Sequence, residues 1–167
     1  MPKSAPLEIE RKFLIEYPDT DLLDRLSEGN CSVISQTYLL GEDGTSERVR
    51  ARTRNGNTVY THNTKIRISP IKRIEHEDEV SRAEYERLLL RADPKCRTIE
   101  KKRWCVRENG FVWEIDVFPF WSDRAFLEIE IPDENTPITP PPFVRVIREV
   151  TEDDRYNNHA LAMELPE

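Results

Sequence analysis

The nine residues LEIERKFLI, positions 7 to 15, alternate charge with apolar bulk: Glu8, Glu10 and Lys12 fall at every second position, with Ile9, Phe13 and Ile15 between them. Successive strand side chains point to opposite faces, so this spacing specifies a strand with one ionised face and one face built for burial. The same period returns along the chain. Arg48, Arg50 and Arg52 alternate with Val49 and Ala51, Lys65 and Arg67 with Ile66 and Ile68, and Glu75, Glu77 and Glu79 follow Arg73. Further on, Lys101 and Arg103, Glu114 and Asp116, and Glu128 and Glu130 are each two apart. A chain written this way is mainly antiparallel β, with paired faces that must be sorted against each other.

Turn chemistry divides the strands. Asn55-Gly56 inside RVRARTRNGNTVYTHNTKIRIS and Asn109-Gly110 inside TIEKKRWCVRENGFVWEIDVF tolerate the positive φ angles of tight hairpin turns. Between the hairpins, SRAEYERLLLRADP (81–94) reads as a helix, with Ser81 and Glu84 as a capping box, Leu88 and Leu89 for burial and Asp93-Pro94 as the stop. PDTDLLDRLSEGN (18–30) reads as a second, with Leu22, Leu23 and Leu26 inward and Gly29 near its C-cap. PDENTPITPPP (132–142) is too proline-rich for regular structure, and TEDDRYNNHALAMEL is expected to end the chain in a short helix. With 167 residues and no internal repeat, one domain over 1–167 is the expectation.

Composition excludes several classes. A formal net charge of -7 argues against a general or stable nucleic-acid binder. Cys31, Cys96 and Cys105 are odd in number and scattered, which fits a reducing cytoplasm better than a disulfide framework. No apolar run reaches membrane-spanning length, and MPKSAPLEIERK lacks a signal-peptide core, so no membrane association is expected. With five glycines and neither common phosphate-loop pattern, any phosphate contacts must come from side chains.

The charges are sorted by strand, some carrying only bases and others only acids, whereas a merely soluble surface intersperses the signs. One arrangement makes use of that: a closed antiparallel sheet with the charged faces lining a water-filled tunnel and the apolar faces covered outside by helices. Ionised groups so enclosed must be paired or bind counter-ions. Arginines at a strand repeat of about 7 Å suit a linear polyanion. Clustered carboxylates stay ionised beside divalent cations.

These residues resemble the CYTH proteins, or triphosphate tunnel metalloenzymes. The family's Glu-x-Glu-x-Lys opening resembles Glu8, Glu10 and Lys12, and the likeness continues in order through QTYLL, RVRAR, Lys65, RIEHEDEVS, IEKKRW, WEIDVF, LEIEI and EVTEDDRYNN, from about residue 7 to 161. The resemblance implies an α+β, mainly antiparallel fold: an eight-stranded closed β-tunnel with a charged interior and flanking helices. It implies hydrolysis or rearrangement of triphosphates with Mg²⁺ or Mn²⁺; small bacterial members with this opening are similar to inorganic triphosphatases, which makes inorganic tripolyphosphate the expected small-molecule substrate. Thiamine triphosphate hydrolysis and class IV adenylyl cyclisation are family alternatives, and a non-catalytic polyphosphate or nucleotide binder is the rival from another class. A homodimer is compatible with the pattern.

By charge and by these matches, Glu8, Glu10, Glu128 and Glu130, with Asp116 as an additional candidate, are expected to hold one or two metal ions. Lys12, Arg48, Arg50, Lys65, Arg73, Lys101 and Arg103 are expected on phosphate oxygens. Glu77 or Glu75 would orient the attacking water or assist a second metal, and Lys65 is grouped with them as catalytic. Internal ion pairing is the competing reading for Glu75, Glu79, Glu114 and Arg52, and Arg67 reads as a flanking charge. Two departures stand out: PFWSDRAF has no glycine where members commonly turn on one, and Asn157 or Asn158 stands where many carry a lysine. His62, His76 and His159 read as solvent-facing, Cys105 as a packed thiol, and Trp113, Phe120 and Trp121 as wall or outer packing.

Overall fold

A computed structural model describes residues 7–41 and 45–166. Strands β1 (Leu7–Glu16), β2 (Cys31–Tyr38), β3 (Thr45–Arg54), β4 (Asn57–Arg67), β5 (Lys72–Val80), β6 (Ile99–Glu108), β7 (Phe111–Val117) and β8 (Arg124–Glu130) pair antiparallel in the order β5-β4-β3-β2-β6-β7-β8-β1. The sheet closes where Leu7, Glu8 and Ile9 of β1 face Ile74, Arg73 and Lys72 of β5. The expected eight-stranded tunnel is therefore present. A further strand, β9 (Val146–Glu149), takes over that edge of β1 at Phe13 to Ile15. On its other edge β1 runs along β8 from Glu10 to Glu16, so its first half seals the barrel and its second half carries the extra strand. The predicted hairpin turns are in place, with φ of 52° at Asn55, 80° at Gly56, 53° at Asn109 and 79° at Gly110, the left-handed pairs that a two-residue turn requires.

The largest apolar cluster lies outside the barrel. Ile9, Phe13 and Ile15 of β1 meet Trp104 and Val106 of β6, Trp113 and Ile115 of β7, and Leu127 and Ile129 of β8. Helix α1 (Thr20–Leu26) covers part of this face through Leu23, and Trp104 Nε1 donates to Asp24 Oδ1 at 2.8 Å. The proline-rich segment and the two residues after it cover more of it, placing Ile138, Phe143 and Val144 against the same cluster. Leu26, expected inward, is exposed, because the short α1 turns only the face carrying Leu23 to the barrel. No helix among the described residues is long and apolar enough to cross a membrane.

Helix α2 (Arg82–Leu89) covers β3 and β4, with Leu88 packed on Leu39 and Val49 and Tyr85 against Tyr60. Ser81 Oγ accepts from Glu84 N at 3.0 Å, whereas the Glu84 carboxylate pairs forward with Arg87 at 2.5 Å instead of returning to the cap. Half of the capping box thus forms. Ser81→Ala is expected to lower stability by about 1 kcal/mol, read as a smaller urea midpoint at an unchanged m-value.

One end of the barrel is filled. Leu14, Ile99, Phe118 and Phe126 point inward there and pack with Trp121, Tyr156 and Leu161. Phe118, Trp121 and Phe126 stack edge to face at centroid separations of 5.2 to 5.6 Å. The glycine-free PFWSDRAF turn exists to deliver these rings: Trp121 N donates to Phe118 O at 3.2 Å, folding the indole back under the barrel. Trp121, read as wall or outer packing, belongs to the plug that closes this end of the barrel. The C-terminal helix α3 (Asn158–Met163) forms as expected and completes the plug through Leu161 and Ala162.

Candidate functional site

The barrel interior above the plug is a cavity of about 840 Å³. Strand register decides what lines it, because directly paired residues share a face. Across β1, β8 and β7, Glu10 faces Glu130, Lys12 faces Glu128, and Glu128 in turn faces Glu114. Across β3, β4 and β5, Arg50 faces Thr61, Arg48 faces Asn63, and Lys65 faces Glu75. One wall is thus rich in carboxylates and the other in cations.

The structure brings most of the predicted set to the cavity wall. Its acids include Glu8, Glu10, Glu75, Glu77, Glu128 and Glu130. Its bases include Lys12, Arg48, Arg50, Lys65, Arg73 and Arg103, and each wall carries a minority of the opposite sign, Lys12 among the acids and Glu75 among the cations. Two predicted residues are not there. Lys101 and Asp116 are wholly buried behind the wall, the ammonium 2.8 Å from Asp116 Oδ2, and Arg103 grips the same carboxylate with bonds of 2.7 and 2.8 Å. Lys101, expected on substrate, and Asp116, expected on metal, both sit against the plug, where Lys101 lies 5.9 Å from the Phe118 ring, and they pair with each other and with Arg103. Arg103 also reaches Glu114 at 2.7 Å and Glu128 at 3.8 Å, which makes it the hub between this buried layer and the cavity.

The cations of the basic wall are held close to one another and out of water. Arg50 Nη2 donates to Gln36 Oε1 at 3.0 Å, while the buried Nε atoms of Arg48 and Arg50 find no acceptor among the described residues. Burial first, then the neighbouring charges of Arg48 and Arg103, lower the Arg50 pKa. Burial and Arg48 likewise push Lys65 down to about 8. A multivalent anion would relieve this repulsion and satisfy the free donors.

The acids show the opposite strain. Burial, then a hydrogen bond and the charge of Glu75, raise Glu8. Burial alone would raise Glu75 too, but the bond from Glu8 and the charges of Lys65 and Arg48 hold it low. Glu130 is raised by burial and then by Glu10 and Glu75, and Glu114 is raised by burial despite Arg103. Such oxygen donors, one of them the buried and unpartnered Glu8 Oε2, fit a hard divalent cation, which would offset their mutual repulsion.

Ion pairing, the competing reading, holds for Glu75, which accepts from Asn63 Nδ2 at 2.7 Å and lies 3.7 Å from Arg48 and 3.9 Å from Lys65. It holds also for Glu114 with Arg103, while Arg52 donates to Ser32 Oγ at 2.9 Å. Arg67 flanks the mouth as expected and pairs with Asp154 at 2.7 Å. Two histidines are corrected: His62 bonds Glu47 Oε1 at 2.9 Å, and the His159 ring stacks on Tyr38 at 4.5 Å, so neither simply faces solvent.

Sequence reasoning missed Gln36 and Asn63, both fully buried and holding Arg50 and Glu75 in place. Asn63 has the parity of the inward Lys65 on its own strand, whereas β2, which carries Gln36, has no charged residue to mark its inward face. Sequence reasoning also missed the C-terminal segment as a wall. Lys12 Nζ lies 3.1 Å from Glu128, donates to the Tyr156 carbonyl at 3.2 Å, and sits over the Phe126 ring at 4.5 Å. Asn157, one of the two candidates for the position of the absent lysine, caps α3 by accepting from Ala160 N at 2.7 Å.

The comparisons agree with this geometry. The CYTH domain profile matches residues 6–139. An inorganic triphosphatase of Acetivibrio thermocellus is 33% identical over 155 residues, 92% of each chain. An inorganic triphosphatase of Nitrosomonas europaea is 31% identical over 164 residues, 95% of this chain and 99% of that one. A crystal structure of an inorganic triphosphatase superposes with a TM-score of 0.60 at 31% identity, covering 96% of this chain and 97% of that one. With the profile spanning most of the sequence and the barrel closing on the residues that define the motif, the chain belongs to the CYTH domain family.

Proposed function

We propose that the protein hydrolyses a linear triphosphate, inorganic tripolyphosphate foremost, inside its barrel with Mg²⁺ or Mn²⁺. One observation carries the reading: a cation-rich wall with unsatisfied donors and a carboxylate-rich wall, in which burial and neighbouring acids raise Glu8 and Glu130, line a single 840 Å³ cavity. A site meant only to hold a polyanion would gain little from acids that repel it. The names of the relatives at 31% and 33% identity support the same class of reaction.

Arg48, Arg50, Lys65 and Arg73 grip the phosphate chain, with Lys12 and Arg103 at the deeper end beside Glu128. Glu8, Glu10 and Glu130 would hold the cation, and Glu128 closes that group. Bound magnesium or manganese would neutralise charge on the transferring phosphoryl group. Glu75 is engaged by Asn63 and Lys65, whereas Glu77 stands exposed at the cavity wall, so the water-orienting role goes to Glu77. Its carboxylate accepts a proton from the attacking water, which the cationic wall aligns opposite the leaving phosphate.

Phosphate release from tripolyphosphate, ATP and thiamine triphosphate, with and without Mg²⁺ or Mn²⁺, tests the proposal. Tripolyphosphate should be the best substrate and EDTA should stop its turnover. Measurable binding of all three without release would establish the binding-module reading instead. Arg50→Ala removes charge-assisted hydrogen bonds worth about 1.5–3 kcal/mol. That corresponds to a loss of roughly 10- to 150-fold in kcat/KM, expressed mainly as a higher KM.

A further inference from the structure

We infer that Asp93, Cys96 and His159 form a binding site for a borderline-soft divalent cation, zinc foremost, separate from the carboxylates of the barrel. The Asp93 carboxylate, the Cys96 thiol and the His159 imidazole each offer a donor atom, and these atoms all lie within 4.8 Å of one another. All three residues are half-buried, and Cys96 is a free thiol. The donor types matter: sulfur, nitrogen and oxygen together suit Zn²⁺ or Co²⁺, whereas Mg²⁺ takes oxygen alone. Donor-to-donor spacings around tetrahedral zinc, with bonds of about 2.0–2.3 Å, are roughly 3.3–3.8 Å. Closing from 4.8 Å is within reach of side-chain rotation.

The backbone already holds the donors together across a long separation in sequence. Asp93 N donates to the Tyr38 carbonyl at 2.9 Å, and the Tyr38 ring stacks on His159 with an interplanar angle of 8°. Cys96 N donates to the Asp93 carbonyl at 3.0 Å, forming the turn that sets thiol and carboxylate side by side. Arg97 N donates to the Ala162 carbonyl at 2.7 Å, fastening this turn to α3, which carries His159. Asp93 and His159 also line the barrel cavity, so water can complete the coordination. On binding, the Cys96 S–H proton leaves to solvent and a sulfur–metal bond replaces it. The ion would clamp α3, and with it the plug, to the turn after α2.

The test titrates Co²⁺ into the full chain in excess Mg²⁺, which saturates oxygen-only sites that give no sulfur signal. A single Co²⁺ should bind with a thiolate-to-cobalt charge-transfer band and tetrahedral d–d bands, and Zn²⁺ should displace it. Cys96→Ser should abolish the charge-transfer band, His159→Ala should weaken binding roughly tenfold or more, and Cys31→Ser should leave both intact. Absence of the band from the unaltered chain, its survival in Cys96→Ser, or unchanged affinity in His159→Ala would each overturn the assignment. The signal does not depend on turnover, so it stands or falls apart from triphosphate hydrolysis.

Discussion

Arg103→Ala is expected to destabilise the fold by about 3–5 kcal/mol, because it removes one partner from a buried ion network and leaves the others uncompensated. Arg103 lies 2.7 Å from both Asp116 and Glu114 and 3.8 Å from Glu128, with its side chain almost fully enclosed. Lys12 stays with Glu128 and Lys101 with Asp116, but Glu114 loses its cation and Asp116 its paired bonds. At about 2–4 °C per kcal/mol for a chain of this size, the melting temperature should fall by roughly 6–20 °C. The pH dependence has a definite sign. Burial would raise the Asp116 pKa, but Arg103 and Lys101 hold it well below the ordinary range. Its stabilising contribution is therefore fully present above about pH 4, its unfolded pKa, and is lost as the pH falls toward the folded value. In Arg103→Ala the onset of acid unfolding should move to higher pH. A variant melting within a degree or two of the parent would show that the network is not what holds this end of the barrel.

Glu10→Gln is expected to reduce metal-dependent turnover of tripolyphosphate by about 10²–10³-fold in kcat/KM, which corresponds to about 3–4 kcal/mol of lost transition-state stabilisation. The substitution keeps the side-chain volume and removes the charge. Glu10 faces Glu130 across the β1–β8 pair and lies 3.4 Å from Arg73, so the protein loses a cation ligand while retaining a similar shape. Steady-state phosphate release at several Mg²⁺ concentrations separates the causes: a higher metal requirement accompanies loss of a ligand, whereas a uniform loss of folded protein lowers the rate at every concentration. Turnover at the parent rate would remove Glu10 from the cation site. Arg50→Ala makes the complementary comparison, since its effect belongs mainly to substrate capture.

The inward faces were legible because strand parity is a local property. Glu8, Glu10 and Lys12, or Arg48 and Arg50, need only the pleat to share a side, and the Asn-Gly turns tie neighbouring strands in register. Depth along the barrel was not legible. Lys101 has the same parity as Arg103 and Asp116 the same parity as Glu114, yet one member of each pair lines the cavity and the other lies under it. That distinction depends on where Phe118, Phe126 and the distant Tyr156 and Leu161 converge, and no spacing within a strand encodes it.

By itself the amino-acid order determined strands with one ionised and one apolar face, and the sorting of acids and bases onto different strands favoured an inside-out barrel over a sandwich with its charges in solvent. The tertiary structure decided the rest, namely that the pore is blind at one end, that β1 divides its edge between β5 and β9, and that a C-terminal segment forms part of the wall. The reason is physical: periodicity arises from neighbours a few ångströms apart on one chain, whereas plugging, closure and the pairing of buried charges arise from surfaces that meet only after the chain has folded back on itself.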